Sequence, residues 1–413
     1  MIDQQRPYSP VQLLINVYLF VIFLALLCGG FIAFTRGGGD PDFANLYAQA
    51  QLVYNNPASG FYSLETQYRV QQQTFSGKYY KDGVLPYIHP PFAVLLVLPF
   101  GLLNFEKARV LWTLLNSCLI CLLPWLIIRL NPAVFVASRT TLVLGALAFC
   151  PFVVTLWHGQ TSLFLVCTLI IFNSFLRKGK DVASGISLGV GFIRFHMAYL
   201  FVAVLLLKRK WKALSSLALT LIILFGASWL WVGSSAMIQY SNLLRMMSTI
   251  KDTMGVSPEK LQNWKGLIYS IGFQQIHGTL GSIILVSISG GLLFLLWRSS
   301  WNPSAPEFSL QFACTIFLSL CGSPYLNIHD LSLAFFASAL CLEFLLKMET
   351  FDTYCKSLFA LLLVSPLVWL FSTSINQKVT LHWSMVWMTA MFGLCLLRVS
   401  LTRHEVAKNI SLG

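Results

Sequence analysis

Long apolar runs separated by short polar turns dominate this chain. Val11–Phe34, Thr140–Leu176 and Ala213–Leu244 contain no Lys, Arg, Asp or Glu. A helix needs roughly 20 mainly apolar residues to cross about 30 Å of hydrocarbon, and several runs reach that length. The pattern therefore predicts an all-α polytopic membrane protein of about twelve transmembrane helices, two of them short.

Three apolar segments are too short to be ordinary spans. Phe92–Leu103 follows a double proline and suits a re-entrant or half-helix. Val182–Ile193 and Met197–Leu207 flank the polar triplet Arg194-Phe195-His196, and basic residues lie beyond both. We therefore expect two short helices that meet at a polar tip.

The chain is predicted to form a single integral membrane domain over residues 1–413 with two sizeable loops. The first, residues 35–91, has aromatic and apolar residues at a spacing of three to four, which predicts amphipathic helices on the membrane surface. The second, residues 232–265, is rich in Met and aromatic residues. Both loops are expected on the extracytoplasmic side.

Composition and charge support a membrane protein and argue against a nucleic-acid partner. Apolar residues make up 56% of the 413 residues and charged residues 10%, against about 25% charged in soluble proteins. The net charge of +13 comes largely from short turns, as the positive-inside rule requires, whereas the first loop is nearly balanced. We therefore expect a multi-pass protein of the cytoplasmic membrane with both termini in the cytoplasm and the bilayer as a partner. The basic clusters are Arg177, Lys178 and Lys180; Lys208, Arg209, Lys210 and Lys212; and Arg398, Arg403 and Lys408.

Cysteines and carboxylates give no indication of a metal centre. The ten cysteines are scattered and lie mostly in apolar runs, which is typical of packing residues. Asp40 and Asp42 have a D-P-D spacing that suits a divalent ion, but no third ligand is evident. We expect no metal and no cofactor.

Polar and ionisable residues that interrupt apolar sequence all lie on the predicted outer side. A carboxylate there suits a general base, and Arg or His suits an anionic leaving group such as a lipid phosphate. Asp42 or Asp40 is the candidate base, with Arg194 and His196 as phosphate ligands assisted by His329. The full set is Asp40, Asp42, His89, His158, Gln160, Arg194, His196, His329 and Asp330.

Most of these residues also have an ordinary structural interpretation. Asp40 caps a turn, and Asp42 favours the positive end of a helix dipole. His89 and His158 suit interfacial anchors, and His329-Asp330 suits a helix start. Arg194 is the hardest to explain by structure alone. It interrupts an apolar segment far from the helix ends, where its side chain could have reached the membrane interface.

The order of the motifs resembles glycosyltransferase family 87, whose members are GT-C membrane enzymes that use polyprenyl-phosphate sugars, typically mannose. The resemblance covers roughly residues 35–335. Its elements are Asp42-Phe43 with Tyr47 and Ala50; Tyr87-Ile88-His89-Pro90-Pro91; Trp112; Gly159-Gln160-Thr161-Ser162; Gly185-Ile186-Ser187-Leu188-Gly189 continuing to Arg194; and Ser323-Pro324 leading to His329.

The resemblance implies a GT-C-like bundle and a role for each candidate residue. Asp42 matches the catalytic base toward the acceptor hydroxyl, with inversion at the sugar. The implied donor contacts are Arg194, His196, His329 and His89, and the implied acceptor or supporting residues are Asp40, Tyr47, His158, Gln160 and Asp330. Two residues depart from the family pattern. Arg194 stands where lysine is usual, and His89 stands where tyrosine is more common.

Other functions remain open at this point. A transporter or flippase of lipid-linked sugars would show matched broken helices, and this sequence has one broken segment. A glycan polymerase or ligase commonly has a large central loop, whereas the longest loop here follows the first span. An inactive family member that serves as an assembly partner is a third alternative.

Overall fold

The computed structural model describes residues 10–35, 41–55, 60–75, 83–130, 138–249, 261–270, 272, 279–323, 325–374 and 382–412. These residues form helices joined by short turns, with no strand among them. The α-helices are α1 Pro10–Thr35, α2 Pro41–Asn55, α3 Leu64–Phe75, α4 Phe105–Leu130, α5 Arg139–Leu147, α6 Cys150–His158, α7 Ser162–Arg177, α8 Asp181–Gly191, α9 Phe195–Leu207, α10 Trp211–Thr249, α11 Trp264–Ser270, α12 Thr279–Trp297, α13 Pro306–Gly322, α14 Leu333–Lys347, α15 Thr353–Ser374 and α16 Trp383–Leu412. Short 3₁₀ helices cover Pro91–Leu96, Leu98–Leu102, Phe192–Arg194 and Ile328–Ser332.

Several helices are long and apolar enough to cross a membrane, which confirms a polytopic membrane protein. By length and composition there are 7 candidate spans in the described part of the chain, or up to 8 if one bent pair counts as a span. That pair is α5 and α6, which are bent by 46° at a break of a few residues. The break falls inside the uncharged run Thr140–Leu176, at Pro151 in the first turn of α6, which lacks the N–H that would continue the helical hydrogen bonds.

α8 and α9 double back on each other, as the sequence predicted. Together they cover Asp181–Leu207, a stretch long and apolar enough to count as one candidate span. However, the Lys210 Nζ lies 3.6 Å from the Asp181 Oδ1, so the chain returns to the level at which α8 began. The 3₁₀ turn Phe192–Arg194 is therefore the tip of a helical hairpin.

The bundle has two chemically different ends. At one end Arg177 pairs with Glu343 at 2.9 Å, and the basic turns after α7, α9 and α14 gather there. At the other end the last turn of α6, the first turn of α7, the tip after α8 and the 3₁₀ helix Ile328–Ser332 meet. α13 runs between the two ends with every residue from Phe308 to Gly322 buried.

The segment that precedes α4 forms a compact unit on the second end. The buried amide side chains of Gln67 and Gln71 hydrogen bond to the backbone of Tyr87 and Leu85 and so fix the extended stretch before Pro90. The sequence predicted that α2 would lie on the membrane surface, but its residues from Phe43 to Ala50 are all buried within the protein. α2 packs against α3, α4 and the 3₁₀ helices at residues 91–102, so protein rather than lipid buries its apolar residues. The part of the second predicted loop up to Thr249 is helical, since α10 continues to that residue past a break at Gly233.

Candidate active site

Asp42 lies in the first turn of α2, where its side chain is 20% exposed. Its Oδ2 is 3.3 Å from the Nδ1 of His158 at the end of α6. Burial opposes ionisation of the carboxylate, but hydrogen bonds from His158 and Gln160 and the electrostatic effect of His329 outweigh it. The pKa of Asp42 is therefore lowered to about 2. Asp42 is an ionised and accessible carboxylate at neutral pH.

Gly159 brings the two residues around it against Asp42. It ends α6 in a left-handed conformation with φ of 69°, and its carbonyl accepts a hydrogen bond of 2.8 Å from the Trp112 indole. A Cβ built on Gly159 would lie 2.4 Å from the Cβ of Phe43, the neighbour of Asp42. Only glycine tolerates both the backbone angle and the close approach. This is the structural reason for the glycine of the Gly-Gln-Thr-Ser motif.

Arg194, at the tip of the α8–α9 hairpin, is 4% exposed, and its guanidinium is held by three side chains. It forms an ion pair with Asp330 and donates hydrogen bonds to the Gln160 Oε1 and, at 3.2 Å, to the Thr161 Oγ1. A buried cation requires such compensation, because an isolated charge in a low-dielectric interior is very costly. Asp330 is thus the counter-ion of Arg194.

Gln160 connects Asp42 with Arg194. Its amide oxygen accepts from Arg194, and its N–H₂, the end that can donate, interacts with the Asp42 carboxylate and lowers the pKa of Asp42. The side chain is therefore oriented by two charged partners of opposite sign. A continuous chain of contacts joins Asp42, Gln160, Arg194 and Asp330.

Asp330 and His329 are placed by a capping box at the start of the 3₁₀ helix Ile328–Ser332. The Asp330 Oδ2 accepts from the backbone N–H of Asn327 at 3.1 Å, while its Oδ1 faces Arg194 and accepts from the Ser162 hydroxyl at 3.2 Å. The His329 ring centre lies 6.0 Å from that of His158, and its Nε2 lies 3.5 Å from Asp330. His329 therefore stands between the two carboxylates.

His89 and His196 complete the cluster. His89 forms a hydrogen bond with the backbone carbonyl of Ile193, and burial together with the charge of Arg194 lowers the pKa of His89 to about 3. The Tyr62 hydroxyl donates to the His89 carbonyl at 2.7 Å. His196 interacts electrostatically with Asp330, Arg194 and His329.

One of the predicted site residues, Tyr47, lies away from the cluster. Tyr47 packs against Phe43, Phe75 and Phe105, and its hydroxyl donates to the Leu103 carbonyl at 2.7 Å. It therefore belongs to the aromatic core beneath α2. Asp40 lies outside the described residues.

The sequence did not assign a role to the hydroxyls that support the cluster. Thr161 and Ser162 contact Arg194 and Asp330, and Thr155 donates to the His329 carbonyl at 3.2 Å. Their signal was present, since Thr161 and Ser162 directly follow Gln160 in the motif. The sequence did not reveal their partners, because Arg194 is 33 residues from Thr161 and Asp330 is 168 residues from Ser162.

The two carboxylates can do different chemistry. Asp330 is 3% exposed and neutralised by Arg194, whereas Asp42 is accessible and, within the described part of the chain, interacts with His158, Gln160 and His329 but with no Arg or Lys. Asp42 can accept a proton, and Arg194 with the histidines near it can stabilise an anion by charge and hydrogen bonds. Among the described residues, no three or more His, Cys, Asp or Glu side chains are grouped to hold a metal ion.

The family model of glycosyltransferase family 87 matches residues 87–324, more than half of the chain, and the chain belongs to that family. GT-C membership is consistent with this assignment. The match includes His89, His158, Gln160, Arg194 and His196, and it is shorter than the resemblance over 35–335. Three residues of the cluster lie outside the matched range, namely Asp42, His329 and Asp330. No curated protein and no solved structure gives a significant match.

Proposed function

We propose that this family 87 glycosyltransferase moves a sugar from a polyprenyl-phosphate donor to a hydroxyl of a lipid or glycan acceptor, with inversion at the anomeric carbon. Mannose is the proposed sugar, on the resemblance of the motifs alone. The observation that carries the proposal is the Asp42 carboxylate, which is ionised, partly accessible and linked through Gln160 to the buried Arg194–Asp330 pair.

The reaction follows from this arrangement. The acceptor hydroxyl attacks the anomeric carbon while the bond from that carbon to the phosphate oxygen breaks, and the phosphate leaves with the bonding electrons. The proton of the hydroxyl passes to Asp42 and from there toward His158, 3.3 Å away. A carboxylate with a pKa of about 2 is a weak base, so transfer is expected late, when the new bond has made the attacking oxygen acidic.

The leaving phosphate is proposed to bind at the Arg194 tip. Three of the five guanidinium N–H groups donate to Thr161, Asp330 and Gln160, and the other two have no partner in the described part of the chain. Asp330 balances the charge of Arg194, so His329 and His196 are proposed to donate N–H hydrogen bonds to the phosphate as it leaves.

His89 suits a supporting role better than direct phosphate binding. With a pKa of about 3 it is neutral, and a neutral imidazole has one N–H donor. That donor faces the Ile193 carbonyl, which precedes Arg194. We assign His89 to holding the Arg194 tip in place.

The active site is proposed to face the extracytoplasmic side of the cytoplasmic membrane. The cluster around Asp42 and the basic turns lie at opposite ends of the bundle, as shown by the contacts of α7, α8 and α14. Positively charged turns prefer the cytoplasm, which leaves the opposite end outside. The donor and acceptor then reach the site from the outer leaflet.

The test is sugar transfer by the purified protein, given radiolabelled polyprenyl-phosphate mannose and a membrane-lipid extract. Asp42→Asn is nearly isosteric and removes the base, so we expect transfer to fall about 10²- to 10⁴-fold. Asp352→Asn is the matched control. Asp352 lies in the turn after α14, at the other end of the bundle, and its carboxylate pairs with Arg398 of α16. If Asp42→Asn transferred sugar at the wild-type rate, Asp42 would not be the base. If the wild-type protein used a polyprenyl-phosphate glucose donor and not the mannose donor, the proposed sugar would be wrong.

A further inference from the structure

A cavity of about 190 Å³ lies at the basic end of the bundle, far from Asp42. It is bounded by the last turns of α4 and α7 and by α14. A single water needs only about 10–15 Å³, so this space admits a larger group. One wall is apolar and includes Ile127, Leu130, Ile170, Phe336 and Leu340.

The other wall carries buried polar groups that lack partners. The Oδ1 of Asn173 accepts from the Arg177 Nε at 2.9 Å, which fixes the orientation of the amide. The Nδ2 of Asn173 and the Oγ of Ser174 are then left without a hydrogen bond, although the two residues are only 4% and 6% exposed. Buried polar atoms are nearly always paired in folded proteins, so two adjacent unpaired groups in one cavity wall indicate a ligand.

The charges around the cavity favour an anion. Arg177 and Lys178 line it, with Glu343 as the lining carboxylate, and Lys347 pairs with the same carboxylate at 2.6 Å. Two cations thus pair with Glu343, and Lys178 adds a third positive charge at the cavity, so the positive charges outnumber the single lining carboxylate. The unpaired Nδ2 is a donor only, and the exposed Lys178 ammonium adds further donors at the rim. An acceptor-rich anion such as a phosphate satisfies both the charge and the hydrogen-bond donors.

The apolar wall and the position of the cavity indicate what is attached to the phosphate of the ligand. The cavity adjoins the end of α4, where Trp125 is 56% exposed and Arg129 is also exposed, as expected of residues at a membrane interface. A ligand here needs a phosphate next to an apolar chain, which is the structure of a phospholipid. We propose that this cavity binds the phosphate headgroup of an anionic phospholipid from the leaflet that adjoins the basic end.

This inference does not depend on the proposed reaction and is tested by binding. The purified full-length protein in a neutral detergent is titrated with phosphatidylglycerol, phosphatidylcholine or glycerol phosphate, and bound lipid is counted by native mass spectrometry. We expect saturable binding of phosphatidylglycerol at least about tenfold tighter than that of phosphatidylcholine, and no comparable binding of glycerol phosphate. Equal binding of the two lipids would overturn the proposal, and equally tight glycerol phosphate would show a site for a free anion.

Three variants test the site itself. Ser174→Ala removes a hydroxyl without a protein partner, and Asn173→Asp keeps the acceptor for Arg177 while replacing the donor with a charged oxygen. We expect phosphatidylglycerol affinity to fall about tenfold in Ser174→Ala and further in Asn173→Asp. Lys180→Gln, an exposed cation in the same turn that does not line the cavity, is the control. Unchanged affinity in Ser174→Ala, or an equal loss in Lys180→Gln, would contradict the assignment.

Discussion

Gly159 lies so close to Phe43 that a Cβ on the glycine would be 2.4 Å from the Cβ of Phe43. The contact joins the end of α6 to the first turn of α2, elements more than 100 residues apart in the sequence. It places His158 and Gln160, the neighbours of Gly159, on the Asp42 carboxylate.

Gly159→Ala is expected to displace α2 and to reduce both stability and transfer. Overpacking typically costs about 1–3 kcal/mol, and a left-handed backbone adds roughly 1–2 kcal/mol for a residue with a Cβ. The melting temperature and the transfer rate should both fall. Gly145→Ala in α5 is the control, since nothing lies within 4 Å of its added Cβ. Equal effects of the two substitutions would show that the contact with Phe43 is unimportant.

Asp330→Asn should destabilise the protein strongly, because it leaves the buried Arg194 without a counter-ion. Removing one partner of a buried pair commonly costs about 3–5 kcal/mol. Thermal unfolding in detergent measures the loss. Glu65→Gln breaks the exposed pair between Glu65 and Arg69 and should change stability by less than about 1 kcal/mol. A similar small loss in Asp330→Asn would mean that Arg194 is compensated by other groups.

Gln160→Leu is expected to lower kcat more than it lowers stability. The substitution removes the bridge between Asp42 and Arg194 and so releases the orientation of the proposed base. Steady-state kinetics should show at least about a tenfold loss of kcat. Gln51→Leu also removes one hydrogen bond, to the Gly101 carbonyl at 2.7 Å, but outside the cluster. A kcat for Gln160→Leu that matches the Gln51→Leu control would exclude this role.

His89 makes the stability of the protein dependent on pH. Its pKa is about 3 in the folded state against the ordinary value of 6.5, so below pH 6.5 the unfolded chain binds a proton that the folded chain does not. Stability is therefore full above pH 6.5 and falls as the pH drops from there toward 3. His89→Gln should show a shallower fall of melting temperature between pH 7 and pH 4.5. Parallel curves for the two proteins would refute the effect.

The orientation of the site in the membrane is open to direct measurement. Glu65 and Lys180 are exposed residues that the bundle places at opposite ends, and neither packs in the core. In a background that lacks the exposed Cys28, Cys118 and Cys121, we expect Glu65→Cys to react with an impermeant maleimide on intact cells. Lys180→Cys should react only after the membrane is opened. The reverse pattern would invert the topology.

The sequence by itself determined the class of fold and the location of its interruptions. An uncharged run in a bilayer forms a helix, because a helix satisfies its own backbone hydrogen bonds, so α1 and α10 followed from composition and length. The hairpin around Arg194 followed from the short segments on each side and the basic residues beyond them. These are local properties, and local sequence is sufficient for them.

Only the tertiary structure decided which of the polar residues act together. Arg194 and Asp330 are 136 residues apart, and no local pattern indicates that they pair. The packing of α6, α7 and the α8–α9 hairpin brought Gln160 between this pair and Asp42. The packing of α2 against α3 and α4 placed Tyr47 in the aromatic core instead. Burial then distinguished the carboxylates, because the sealed one needs a counter-ion and the accessible one remains free to take a proton. The partners of a buried charge depend on the whole fold, and the sequence lists the charges without saying which of them meet.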